Sequence, residues 1–341
     1  MIMKKLAKFL IPAILCMAMP LIVSGCQNKN SASSETPAQA SEAPSTEPTP
    51  KEKALSESEE APAARTVTTV MGDVEVPSNP QRVVVNWYAG DVFALDLNVV
   101  GYYCWAQESM PFYDKMMATT AIENWEPEEV MALEPDLIVT YKEEDFDKFK
   151  SIAPVIVVRG SDMNSLERVQ FLGKATGTED KAEEVLNVFE TKLEDAKKLL
   201  SGEQFSGKTF TINEDWGSTG SWAGIAFERS SRGGTLVFKY LGMKLPEKIE
   251  ALIDQSGDRD YALLSYEVAH EYFGDYIIWF DQEGSESEYK KTEIWNSIPA
   301  VTNENIITVP GEKLGMFYFS DILSLTAEID YIVDAINHLA K

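Results

Sequence analysis

Residues 178–200 read TEDKAEEVLNVFETKLEDAKKLL, a run without internal Gly or Pro. Val185, Val188, Phe189 and Leu193 fall at helical spacing on one face, so the stretch predicts one long amphipathic helix. What flanks it decides the fold. Upstream, 66–77 (TVTTVMGDVEVP) reads as a hairpin turning at Gly72-Asp73. The apolar runs 81–87, 98–103, 136–141 and 154–158 read as buried strands, and helical patterns at 89–97, 126–136, 145–153 and 165–176 alternate with them. Strands alternating with helices predict a parallel sheet. Downstream, strand patterning resumes at 207–216 and 275–280, with helical patterns at 235–244, 266–274 and 323–340. The body is an α/β half, a long helix, and a second α/β half.

The N-terminus has a different composition. Residues 1–25 carry Lys4, Lys5 and Lys8 ahead of an apolar run that Pro12 and Pro20 interrupt, which is a secretory signal. It ends in Val23-Ser24-Gly25-Cys26, a tetrapeptide that resembles the lipobox of bacterial lipoproteins. That resemblance implies cleavage before Cys26, lipidation of its sulfur and anchorage at the outer face of the cell membrane. Residues 26–64, rich in Ser, Pro, Ala, Glu and Thr, hold too few apolar residues to build a core and read as a disordered tether. The expected organisation is therefore signal 1–25, lipidated tether 26–64, first lobe 65–177, linking helix 178–201 and second lobe 202–341. Cys16 leaves with the signal, and Cys104 is left as a lone thiol, expected to be buried and inert.

Charge and rare residues exclude several functions. The 341 residues carry 30 basic and 55 acidic side chains. Removing the signal leaves 27 against 55, a net charge of −28. So acidic a surface repels a phosphate backbone, which argues against nucleic acid as a partner. Three cysteines cannot form a disulfide framework, and with His270 and His338 as the only histidines a three-His metal site cannot be built. No G-x-S-x-G elbow appears, and GSTGS at 217–221 does not fit one, so an extracellular enzyme is a remote alternative.

Five segments, in order, resemble one family. They are GDVEVPSNPQRVVV (72–85), EPEEVMALEPDLIVT (126–140), IAPVIVV (152–158), YEVAHEYFGDYIIWF (266–280) and IWNSIPAVTNENIITV (294–309). Together they are similar to the substrate-binding lipoproteins of ferric-siderophore ABC importers, the cluster that also holds cobalamin and haem receptors. The resemblance implies two Rossmann-like lobes joined by a single rigid helix, a ligand cleft between them, and no enzymatic activity. It further implies a monomer serving an ABC permease dimer in iron uptake. No cofactor or protein metal ligand is expected, because a hexadentate siderophore already fills the coordination sphere of Fe(III).

In open α/β sheets ligands bind beyond the carboxyl ends of the strands. Trp87, Tyr88, Tyr102, Tyr103, Trp105, Tyr141, Lys142 and Arg159 stand there. Aromatic faces offer large rigid area to a bulky organic ligand. Segment 213–238 adds Trp222, Arg229 and Arg232, and Tyr318 is a further aromatic candidate. Arg232-Gly233-Gly234 resembles the family's ligand-contacting arginine, although Ser230 stands where hydroxamate receptors of the family often carry Trp. Lys142, Arg159, Arg229 and Arg232 are the cations that a tris-catecholate, with about three negative charges, would need. The acidity of the chain favours a hydroxamate or another ligand of low charge; a catecholate, haem or cobalamin are the alternatives. Glu128 and Glu267 correspond to the family's exposed glutamates, one per lobe, which the resemblance implies pair with permease arginines. They are expected on outer ends of the lobes, away from the strand-end aromatics.

Overall fold

The structure, a computed structural model, describes residues 64–257 and 259–339. The signal, Cys26 and nearly all of the tether lie outside the described residues. A hairpin comes first: β1 (Ala64–Thr69) pairs antiparallel with β2 (Gly72–Pro77), with Thr69 opposite Gly72. The turn is therefore Val70-Met71 rather than the expected Gly72-Asp73. Gly72 enters β2 at φ +97°, a conformation that favours glycine.

The first sheet holds β3 (Val83–Asn86), β4 (Val99–Tyr103), β5 (Thr120–Ala121), β6 (Leu137–Thr140) and β7 (Val155–Val157), in the order β5-β4-β3-β6-β7 and parallel throughout. Strands β3, β6 and β7 are wholly buried, as apolar runs covered on both faces must be. The second sheet holds β8 (Phe210–Asp215), β9 (Ile225–Glu228), β10 (Tyr261–Leu264), β11 (Tyr276–Phe280) and β12 (Ile306–Val309), in the order β10-β9-β8-β11-β12. Here the expectation of a parallel sheet fails in part. β8, β11 and β12 are parallel, but β9 runs antiparallel to both β8 and β10. The Gly/Ser-rich loop 216–224 contains no crossover helix, so the chain can only return as a hairpin.

Between the sheets in the chain lies the long helix, Glu179–Leu200. Its buried residues are Ala182, Leu186, Phe189, Ala196 and Leu200, whereas Val188 is exposed and Val185 and Leu193 are half-buried. The seam is thus rotated from the expected one, toward small Ala positions that let neighbouring helices approach. The preceding helix, Ser165–Thr176, starts with a capping box of Asn164 and Glu167 and stops at Gly177 in the left-handed region. The C-terminal helix, Ile322–Leu339, lies beside the long helix and also packs on Ala89–Ala94 and Ser165–Thr176. One apolar core runs from Val83, Val85 and Val139 of the first sheet through Phe189, Leu325 and Ile329 of the helices to Phe210, Ile212 and Ile278 of the second.

Candidate functional site

Four of the expected aromatics converge. Trp87 follows β3 with φ +73°, a left-handed conformation uncommon for a bulky residue, and remains 39% exposed. Its indole lies 5.6 Å from Tyr141, at the end of β6, and 6.2 Å from Tyr318. It meets Phe319 edge-on at 4.8 Å. Trp105, just past β4, packs 4.6 Å from Tyr318 and is 40% exposed. Tyr318 and Phe319 belong to a strap, residues 311–321, that begins with the 3₁₀ turn Gly311–Phe317 and ends where Asp321 caps the C-terminal helix. Gln107, near the end of β4, holds the strap through Nε2 to the Gly311 carbonyl at 3.3 Å and accepts the Gly315 amide on Oε1. An open cavity of about 250 Å³ lies beside this wall, and Trp87, Tyr318, Phe319, Ser230, Arg168 and Ser320 are among the residues that bound it.

The other expected aromatics sit elsewhere. Tyr102 is 4% exposed and belongs to the core. Tyr103, on the opposite face of β4 as strand alternation requires, stacks on Trp125 at 5.4 Å. Neither stands with the wall. Tyr88 is buried beneath it and donates its hydroxyl to the Val158 carbonyl at 2.8 Å. Trp222 is exposed in loop 216–224, where it meets Trp216 at 6.5 Å and the Arg259 guanidinium at 5.2 Å, a separate patch toward the β10 edge.

Each expected cation already has a carboxylate. Arg232 gives Nε and Nη2 to Glu214 at 3.0 and 2.8 Å, so its fork is not free for chelate oxygens. Arg229 is held by Asp260 and Asp254, both at 2.6 Å, tying the end of β9 to the segment before β10. Arg159 bonds Asp162 and Glu143 at 2.8 and 3.0 Å. Lys142 lies 3.9 Å from Glu144 and 5.5 Å from the Tyr141 ring centre. The second sheet adds a polar floor, where Asp215 accepts Ser287 Oγ at 2.6 Å, Tyr266 Oη at 2.7 Å and the Gly217 amide at 2.8 Å. The cavity next to it, about 480 Å³, is bounded by 281–291 and 310–312 and carries Glu283, Glu286 and Glu312.

Both candidate docking glutamates are exposed, in the first turns of Pro127–Met131 and Tyr266–Ala269. Each of these helices leads into the strand beside the central one of its sheet, β6 or β11. Neighbouring contacts correct their expected position. Glu126 pairs with Lys148 beyond the end of β6, and Tyr266 bonds Asp215 at the end of β8. Glu128 and Glu267 thus lie on the carboxyl-end side of the sheets, the same side as the aromatics. Cys104 is half-buried, and burial pushes its thiol up to about 12, so it is uncharged at neutral pH. Among the described residues, no three His, Cys, Asp or Glu side chains converge as a metal site.

Sequence reasoning missed Phe319, Ser320, Asp321 and Arg168. Two signals were available. Asp321 precedes an apolar helical run, as an N-cap does. Arg168 falls on the buried stripe of its helix, with Ser165, Leu172 and Ala175, where an arginine needs a partner.

A family model described as periplasmic binding protein matches residues 103–312. The iron(3+)-hydroxamate-binding protein YxeB of Bacillus subtilis is 32% identical over 79% of this chain and 84% of its own length. FhuD of the same organism, also named an iron(3+)-hydroxamate-binding protein, is 31% identical over 78% and 84%. A solved FhuD fold-family protein from Bacillus subtilis, described as a periplasmic binding protein component of a ferrichrome ABC transporter, superposes with a TM-score of 0.65. Its identity is 28%, covering 78% of this chain and 98% of that one. These are binding proteins, not enzymes. The match over most of the described body, together with two α/β sheets spanned by a long helix, establishes that the chain belongs to the periplasmic binding protein family.

Proposed function

We propose that this chain is the extracytoplasmic receptor of an ABC importer, which captures a ferric siderophore of the hydroxamate class and hands it to the permease dimer. The observation that carries the reading is the pairing of open aromatic rings with compensated cations. Trp87, Trp105, Tyr141 and Tyr318 offer apolar faces, while Arg159, Arg229 and Arg232 are each bonded to a carboxylate and Lys142 lies 3.9 Å from one. A tris-hydroxamate leaves iron(III) neutral and fits such a site. A tris-catecholate would have to strip those carboxylates from their partners or remain unpaired. The names of the two Bacillus subtilis relatives point to the same ligand class. In this reading Cys26 carries the lipid that holds the receptor at the outer face of the membrane, the tether lets it search, and Glu128 and Glu267 meet permease arginines. The mouth of the cleft and the docking surface then share one side, so the ligand is delivered without the receptor turning round.

The test is a fluorescence titration of the mature protein, whose seven tryptophans report on a coloured chelate. Ferrioxamine B and ferrichrome are expected to quench at low concentration, and a ferric tris-catecholate, haem and cobalamin are not. Tight binding of the catecholate with none of the hydroxamates would reject the ligand class.

A further inference from the structure

Behind the aromatic wall lies a buried charge that strand-end reasoning does not use. Arg168, on the helix Ser165–Thr176, is 7% exposed. Its Nε donates to Asp91 Oδ2 at 2.5 Å, its Nη2 donates to the Ser320 carbonyl at 3.0 Å, and its guanidinium lies 4.4 Å from the Tyr88 ring centre. Ser165 Oγ donates to the same Ser320 carbonyl at 2.6 Å. Asp91 Oδ1 accepts the amide of Ile322 at 3.0 Å. The strap is therefore clasped on both sides of Asp321 by groups from the first sheet's layer. The residues just before the clasped carbonyl are Tyr318 and Phe319, which pack on Trp87.

We propose that Arg168 is a positioning residue for ligand capture: by clasping Ser320 and Asp91 it holds the Tyr318–Phe319 wall against Trp87 before the ligand arrives. The inference rests on the proposed binding function; Arg168 and Ser320 also line the cavity beside the wall, but Arg168 is 7% exposed and its guanidinium is already bonded to Asp91 and Ser320. An ordered wall spares the ligand the entropic cost of ordering it, and that saving appears as affinity. Ser165 shares the Ser320 carbonyl and Ser320 Oγ donates to Thr235 Oγ1 at 3.2 Å, but only the guanidinium joins that carbonyl to the Asp91 carboxylate, which in turn holds Ile322. Losing the guanidinium would also leave the Asp91 carboxylate, wholly buried, without its cation.

Two readouts on the mature protein test this, one of them independent of any ligand. In Arg168→Gln, amide hydrogen exchange across 318–323 is expected to quicken, while the amides of β3 and β8 stay protected. Ferrioxamine B affinity should fall about tenfold to a hundredfold, the scale of one lost charge-assisted hydrogen bond, with the loss in the dissociation rate. Arg168→Lys keeps the charge but not the fork and should be intermediate in both readouts; it decides the matter alone if the Gln variant does not fold. Unchanged strap exchange, or wild-type affinity in a variant with a loosened strap, would overturn the proposal. If the wild-type protein binds no ferric hydroxamate, the functional reading fails and the exchange experiment still decides the clasp.

Discussion

Trp87 and Asp321 show what single residues hold here. Trp87 keeps an unfavourable backbone conformation and leaves 39% of its surface exposed, a combination that folding alone does not favour. Trp87→Gly should relieve the backbone while deleting the ring. Stability by denaturant titration should then fall by about 1–3 kcal/mol, less than the loss of a core aromatic, because strain relief offsets part of the lost packing. Chelate binding should weaken by about 2 kcal/mol or more, the loss expected of an anchoring aromatic. Asp321 titrates unusually: burial first, and then the charge of Asp91, push its carboxyl from 3.8 to about 7 against the bonds from Ser324 and the charge of Arg168. Glu328, whose own carboxyl burial pushes well above its usual range, and the thiol of Cys104 are further titratable groups near it. Because the folded value lies above the unfolded one, Asp321's favourable contribution is complete below about pH 4 and is lost as pH rises through 7. Asp321→Asn keeps a capping oxygen and cannot ionise. Its melting temperature should gain on the wild type between pH 4 and 7, and the gain should level off above 7. A difference that does not vary with pH would contradict this account of the cluster.

At the scale of elements, most of the fold was legible in the sequence and part of the site was not. The runs at 81–87, 136–141, 154–158 and 275–280 became β3, β6, β7 and β11 because β-branched and aromatic residues buried on both faces leave few alternatives. The antiparallel β9 was hidden by its loop, whose Gly and Ser residues fit a turn or a ligand loop equally well. Tyr102 and Tyr103 were misplaced because the carboxyl end of a strand fixes where the chain emerges, not which face a side chain takes. The strap escaped notice because its order comes from Gln107, Ser165 and Arg168, all distant in sequence. The long helix is the element that can be tested most simply. Phe189 is fully buried and meets Tyr240 edge-on at 5.3 Å, beyond the two strands, β8 and β9, that follow the helix. Phe189→Ala should cost about 3–5 kcal/mol in denaturant unfolding. A cost as small as that of an exposed site such as Val188→Ala would show that the helix does not anchor the shared core.

For the whole molecule, a continuous core from one sheet to the other allows little room for large hinge closure, so under the proposed function the ligand would meet a wall already in place and docking would read both lobes. Glu128 and Glu267 lie on the same side of the molecule as that wall. Changing both to Ala should leave chelate affinity intact and reduce cellular iron uptake, and changing both to Lys should reduce it further, because like charges would then meet at the permease. Normal uptake by the double-Lys variant at wild-type expression would reject the docking role. The measurement that bears most directly on the central claim is a crystal structure of the mature protein with ferrioxamine B. The chelate is expected against the rings of Trp87, Trp105, Tyr141 and Tyr318, with Arg232 still paired to Glu214 and Arg168 still clasping Ser320. A chelate seated instead on the Trp216–Trp222 patch, or held by arginines released from their carboxylates, would contradict it.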